Sequence, residues 1–164
     1  MQDKDAANAL PGNGNMNTLN QVTTNDVQVF THASQQRHEQ PETLYHILVV
    51  EDDTVLASLE AEILTARGYT VAIAVDGERA ISALSQSTPD LVVLDLELPG
   101  TMNGWDVLRA LRTFARTPVL LTSAETEVRK YIRSSGETKS TLDHLPKPYP
   151  MQTLLKRIER MLAP

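Results

Sequence analysis

"LVVLDLELPGTMNGW", from Leu91 to Trp105, sets four apolar residues before one aspartate, Asp95, and then breaks at Pro99 and Gly100. An unbroken apolar run of that length suits a strand covered on both faces. A carboxylate at its end is either an ordinary helix cap or turn former, or a reactive group set at the rim of a sheet. Glu97 adds a second acid two residues on. The flanking sequence has to decide between the two.

Outward from this stretch, the chain alternates between strand and helix patterns. "HILVV" precedes it as a strand, then "TVLASLEAEILTARG" as a helix with Leu56, Leu59, Ile63 and Leu64 on one face, stopping at Gly68. "YTVAIA" reads as a strand and "DGERAISALSQS" as a helix with Ala80, Ile81 and Leu84 inward. After "LVVL" come a helix in "NGWDVLRALRTF", a strand in "PVLLT" and a helix in "AETEVRKYIRSSG". A short strand in "TLDHL" and a helix in "MQTLLKRIERML" close the series, the latter with Leu154, Leu155, Ile158, Met161 and Leu162 on one face. Five such units predict a doubly wound α/β domain with a five-stranded parallel sheet.

Residues 1–44 differ in kind. They are rich in Asn, Gln and Thr and hold no sustained period, which predicts a disordered extension ahead of a folded domain at 45–164. "DVQVF" within that segment is the one stretch able to pair as a strand. The extension carries two basic and five acidic side chains, so each part holds half of the net charge of −6. That balance argues against direct DNA binding. The absence of cysteine excludes thiol catalysis, disulfides and cysteine-bound zinc, and suits a reducing cytoplasm. No apolar run approaches the ~20 residues of a membrane span, so no membrane insertion is expected.

In a doubly wound sheet, ligands gather at the carboxyl ends of the strands, where the strand order reverses. The residues just past the predicted strands are Glu51, Asp52 and Asp53, then Asp95, Ser123 and Lys147. Each has an ordinary reading: Asp53 and Ser123 as helix caps, Lys147 as a solvated loop lysine. Together they supply carboxylates, a hydroxyl and an ammonium at one rim. Carboxylates without histidine or thiol form a hard oxygen site suited to Mg²⁺. A carboxylate beside such an ion can attack a phosphoryl group, with Lys147 adding positive charge and Ser123 a hydrogen bond. On this reading Asp95 ends its strand as a nucleophile.

The chain resembles the response-regulator receiver domains of two-component signalling. "ILVVEDD", "LVVLDLELPG…NGWDVL", "PVLLTSA" and "LPKPY" match, in order, the family's acidic pair, phosphoacceptor strand, switch hydroxyl and lysine–proline motif. The resemblance implies a flavodoxin-like (βα)5 fold with strand order 2-1-3-4-5 and a phosphoacceptor at Asp95. It also implies Mg²⁺ held by Glu51, Asp52, Asp95 and the backbone carbonyl of Glu97, a phosphate-binding Lys147, and a switch built from Ser123 and His144. Thr122 is the alternative hydroxyl; the position of Ala124 favours Ser123. His144 stands where the family has Tyr or Phe, and a half-buried packing role is its plain alternative. The loop from Asp95 to Gly104 is one residue longer than the family's usual form, and "GETKST" lengthens the segment before Lys147.

The implied function is that of a standalone cytoplasmic phosphoacceptor rather than an enzyme. A sensor histidine kinase or histidine phosphotransfer protein would supply it, and a downstream effector protein would read it. Two other classes remain: a degenerate receiver that only binds proteins, and a haloacid dehalogenase-type phosphatase, faintly suggested by "DLELP".

Overall fold

The computed structural model describes residues 44–163, together with the strand segments Asn20–Thr24 and Val27–Thr31. Its elements in chain order are β1 (Asn20–Thr24), β2 (Val27–Thr31), β3 (His46–Val50), α1 (Thr54–Ala66), β4 (Thr70–Ala74) and α2 (Gly77–Gln86). There follow β5 (Leu91–Asp95), α3 (Gly104–Phe114), β6 (Val119–Ser123), α4 (Val128–Ser135), β7 (Leu142–Pro146) and α5 (Met151–Leu162). The sheet runs β1-β2-β4-β3-β5-β6-β7. Strands β4, β3, β5, β6 and β7 are parallel, which is the expected order 2-1-3-4-5.

The two remaining strands correct the reading of residues 1–44 as disordered. β1 and β2 pair antiparallel, and β2 adds antiparallel to the free edge of β4, with Gln28 opposite Ile73 and Phe30 opposite Val71. "DVQVF" supplies most of β2, so the minority reading of that stretch holds for the backbone. The remainder of the disorder expectation falls outside the described residues.

Side chains alternate across the sheet and separate two cores. Ile47, Val49, Leu91, Val93, Leu120 and Leu145 pack with α1 and α5. Leu48, Val50, Val92, Leu94, Val119 and Leu121 pack with α2, α3 and α4. Strands β3, β5 and β6 are buried on both faces, which is why the sequence shows runs rather than alternation there.

Helix α1 departs from its expected face. Its buried stripe is Ala57, Glu60, Ala61, Leu64 and Thr65, whereas Leu59 and Val55 are exposed. A glutamate takes a core position because a tyrosine meets it there, as described below. Helix α4 begins at Val128, later than expected, because residues 124–127 are spent on a loop beyond β6.

Candidate functional site

Strand order reverses between β3 and β5, so the crevice lies between their carboxyl ends. Period-two alternation decides what enters it. Ile47 and Val49 face α1 and α5, and so the next residue of that set is Glu51. By the same step Leu91 and Val93 lead to Asp95, and Leu145 leads to Lys147. Register brings these ends level, with Val50 opposite Leu94, Asp95 opposite Thr122, and Ser123 opposite Pro146.

The three side chains meet. The Lys147 ammonium donates to Asp95 Oδ2 at 2.7 Å and to Glu51 Oε2 at 2.8 Å. Both carboxylates are 2 % exposed. Burial pushes Glu51 above its ordinary range, against the hydrogen bond from Lys147, while the nearby Asp95 charge pushes it further up. Burial alone would lower Lys147, but its two carboxylate partners outweigh this and raise it.

Asp52 is exposed and completes a group of three carboxylates with Glu51 and Asp95, whose oxygens lie within 4.8 Å of one another. Asp53 stands apart from them: its Oδ1 accepts from the amides of Val55 at 3.0 Å and Leu56 at 3.1 Å and caps α1. Three acids facing one ammonium leave negative charge uncompensated, and with oxygen donors only, a divalent hard cation fits the set.

The loop after β5 is held from several sides. The Glu97 amide donates to Asp95 Oδ1 at 2.9 Å, which orients the carboxylate, and the Glu97 side chain is exposed. Gly104 opens α3 directly against this strand end: a Cβ there would lie 2.6 Å from Leu96 Cα. Any larger residue would displace the backbone that carries Asp95. The lengthened part of the loop is tied to α2, where Thr101 Oγ1 donates to Glu78 at 2.6 Å.

Thr122 and Ser123 are both buried. Ser123 Oγ accepts from the Glu125 amide at 2.8 Å, within the loop that leads to α4. It does not cap that helix; Glu127 occupies the N-cap without a side-chain bond. Among the described residues no hydrogen bond within standard geometry reaches the Thr122 hydroxyl. His144 is 6 % exposed, with Nε2 at 3.4 Å from the Ser123 carbonyl oxygen and Nδ1 unpartnered. Burial first, and the Arg129 charge as well, hold its pKa below the ordinary value, against the bond to Ser123.

One group escaped sequence reasoning. Glu60 of α1 is fully buried and accepts a 2.6 Å hydrogen bond from the Tyr149 hydroxyl, while its second oxygen has no partner. Desolvation pushes its pKa up to about 7, against the Tyr149 bond and aided by the Glu51 charge. The only signal in the sequence was the tyrosine two residues past Lys147.

This is a doubly wound α/β protein with a buried lysine–carboxylate site at its switch point. A family model, the response regulator receiver domain, matches residues 47–159, and the chain belongs to that family. It is 37% identical over 116 residues to the DNA-binding response regulator MtrA of Mycobacterium tuberculosis, covering 71% of this chain and 50% of that protein. It is 40% identical over 117 residues to the transcriptional regulatory protein CpxR of Escherichia coli, covering 71% and 48%. The chain thus spans about half the length of these curated relatives. Among solved structures, chemotaxis protein CheY4 of Vibrio cholerae is similar with a TM-score of 0.64 and 28% identity, covering 73% of this chain and 100% of that one. Among the described residues no helix is long and apolar enough to cross a membrane.

Proposed function

We propose that this domain accepts a phosphoryl group on Asp95 from a histidine kinase or histidine phosphotransfer protein in the cytoplasm and signals by protein contact. The observation that carries the reading is the Lys147 ammonium bridging Asp95 and Glu51 at the switch point. In the transfer, an Asp95 oxygen forms a bond to phosphorus as the phosphorus–nitrogen bond of the donor phosphohistidine breaks, and the freed imidazole takes up a proton. Lys147 stays beside the transferred group and offsets its charge. The Glu97 amide orients the Asp95 carboxylate through Oδ1, as Lys147 does through Oδ2.

Glu51, Asp52, Asp95 and the Glu97 carbonyl are the groups to hold Mg²⁺, which when bound would neutralise charge on the phosphoryl oxygens. Ser123 rather than Thr122 is the hydroxyl that responds. Its oxygen already holds the loop leading to α4, so turning it toward a phosphoryl oxygen releases that loop. The exposed carboxylates of Glu97 and Glu125 border the approach of a hydrolytic water. The domain is used once per signal and is not a turnover enzyme. DNA binding is named for MtrA, a protein about twice as long, and is not part of the role proposed for this chain.

Incubation with Mg²⁺ and acetyl phosphate, followed by reductive trapping and peptide mass mapping, tests this. A stable label on Asp95, absent without Mg²⁺ and absent in Asp95→Asn, is expected. No label on the wild type would leave a protein-binding module, and rapid phosphate release would mark a phosphatase. Full labelling of Asp95→Asn would overturn the assignment of the nucleophile.

A further inference from the structure

Glu60 puts a carboxyl group at a core position of α1, and the phosphoacceptor chemistry above makes no use of it. Its partner is the Tyr149 hydroxyl, at 2.6 Å. Burying a carboxyl group with one oxygen unpartnered is costly, and an apolar side chain would fill the same space without that cost. Departures of this kind from an ordinary core collect where a site needs a fixed geometry.

The chain around Tyr149 is short of other restraints. The Lys147 amide donates to the Ser123 carbonyl at 3.0 Å, at the end of the sheet. Beyond it, Pro148 and Pro150 flank the tyrosine and carry neither an amide hydrogen nor a polar side chain. Both prolines are exposed, and Pro150 stands at the N-cap of α5 without a side-chain bond. The tyrosine hydroxyl is therefore the one side-chain group through which residues 148–150 can be hydrogen-bonded to the body of the domain. The ring itself packs on the core that α1 and α5 share.

Both ends of the bond lead back to the site. Glu60 belongs to the helix that starts at Thr54, and at the entry to that helix Glu51 Oε1 accepts from the Asp53 amide at 3.2 Å. Tyr149 lies just past Lys147, whose ammonium spans Glu51 and Asp95. The bond thus closes a ring that runs from Glu51 through α1, Glu60, Tyr149 and Lys147 back to Glu51. The Tyr149 hydroxyl also approaches Thr122, which stands opposite Asp95 in the sheet. A lysine carries its charge on a flexible stem, so the head is placed only as well as the backbone beneath it is held.

We propose that Glu60 and Tyr149 are positioning residues of the phosphoacceptor site, bracing residues 147–149 so that the Lys147 ammonium stays between Asp95 and Glu51. The consequence for phosphorylation rests on the role proposed above for Asp95, whereas the placement of the ammonium does not. The test compares the full chain with Tyr149→Phe, Glu60→Leu and Glu60→Gln, the last of which keeps a carbonyl acceptor for the tyrosine hydroxyl. Ile47→Val, a buried change at the opposite end of β3 from Glu51, controls for lost stability.

The Lys147 ammonium signal is followed by nitrogen NMR in the unphosphorylated chain, and labelling by acetyl phosphate is measured at saturating Mg²⁺. In Tyr149→Phe and Glu60→Leu the signal should move toward that of the exposed Lys156. In the same two variants the maximal labelling rate should fall about tenfold, more than the half-saturating acetyl phosphate concentration changes. Glu60→Gln and Ile47→Val should keep the wild-type signal and rate. A signal unmoved in Tyr149→Phe and Glu60→Leu would reduce the pair to a tie between α1 and the start of α5. An equal fall in rate in Ile47→Val would assign the loss to stability, and one in Glu60→Gln would assign it to the charge of Glu60 rather than its hydrogen bond. A wild type that takes no label while the signal moves as expected would sink the proposed function and leave the bracing in place.

Discussion

The Tyr149 hydroxyl donates at 2.6 Å to the carboxylate of Glu60, a side chain with no exposed surface. The two lie 89 positions apart in the chain, and their contact ties α1 to the segment just past Lys147. Glu51, Asp95 and Lys147 bear on Glu60 from the ends of β3, β5 and β7, with the two acids opposed by the ammonium. A buried carboxylate with an unpartnered oxygen is more stable protonated.

Glu60 should therefore weaken the fold as pH rises. Its folded pKa, about 7, stands above the ordinary 4.5, so between these values the folded state binds more protons than the unfolded one. Stability is unaffected below 4.5, declines through the interval, and is constant again above 7. The shift bounds the loss on the order of 3 kcal/mol, at about 1.4 kcal/mol per pH unit. Glu60→Gln should match the wild type near pH 5 and exceed it by about 1–3 kcal/mol near pH 8.5 in urea unfolding. Parallel pH profiles for the two proteins would mean that Glu60 is ionised in place.

Asp52 and Asp53 are adjacent but should separate by function. Asp53 is committed to two amides of α1, whereas Asp52 belongs to the carboxylate group. Asp52→Asn should raise the Mg²⁺ Kd at least tenfold with little change in stability. Asp53→Ala should change Mg²⁺ affinity less than threefold but cost about 1 kcal/mol of stability through the lost cap. Titration calorimetry and thermal melts give both numbers, and equal losses of Mg²⁺ affinity would undo the division of roles.

The hairpin offers a third outcome. A chain beginning at Thr43 would uncover the edge of β4, where Val71 to Ile73 pair with β2. The edge amides should exchange with solvent at least tenfold faster, while those facing β3 keep their protection. Each lost bond is worth roughly 0.5–1.5 kcal/mol, so the melting temperature should fall by about 10 °C or less. Labelling of Asp95 should be unchanged. Identical exchange in the two chains would detach the hairpin from the sheet.

What was legible in the sequence followed from periodicity. Runs such as "LVVL" mark strands covered on both faces, and alternation then carries Glu51, Asp95 and Lys147 to one side of the rim. What was hidden depended on distant partners. Leu59 looked like the core residue of α1 and Glu60 like a surface one, but Tyr149, far along the chain, makes the glutamate the buried member. The hairpin was obscured for another reason: a polar strand added to a sheet edge is specified by backbone pairing, which leaves little trace in hydrophobic pattern.

His144 gives the last expected outcome. The resemblance implied a switch built from Ser123 and His144. The His144 ring is already buried in this structure, 3.4 Å from the Ser123 carbonyl oxygen. The groups facing it are Arg129 from α4 and Arg157 from α5, which disfavour a second positive charge, and Asp143 beside it on β7, which favours one. Burial outweighs Asp143 and depresses the pKa below its ordinary 6.5. The packed, neutral ring therefore contributes stability that is whole above 6.5 and is lost as pH falls through the lower folded pKa. In His144→Tyr that loss should be absent. The variant's melting temperature should gain on the wild type between pH 6.5 and 5, a difference in which Glu60, common to both, cancels. If α4 answers to this ring, its amide shifts in the beryllofluoride-bound wild type should drift toward the unliganded values over the same range and stay fixed in the variant. Identical pH profiles in melting and in α4 shifts would make His144 a passive core residue, leaving Ser123 and its loop to move α4 unaided.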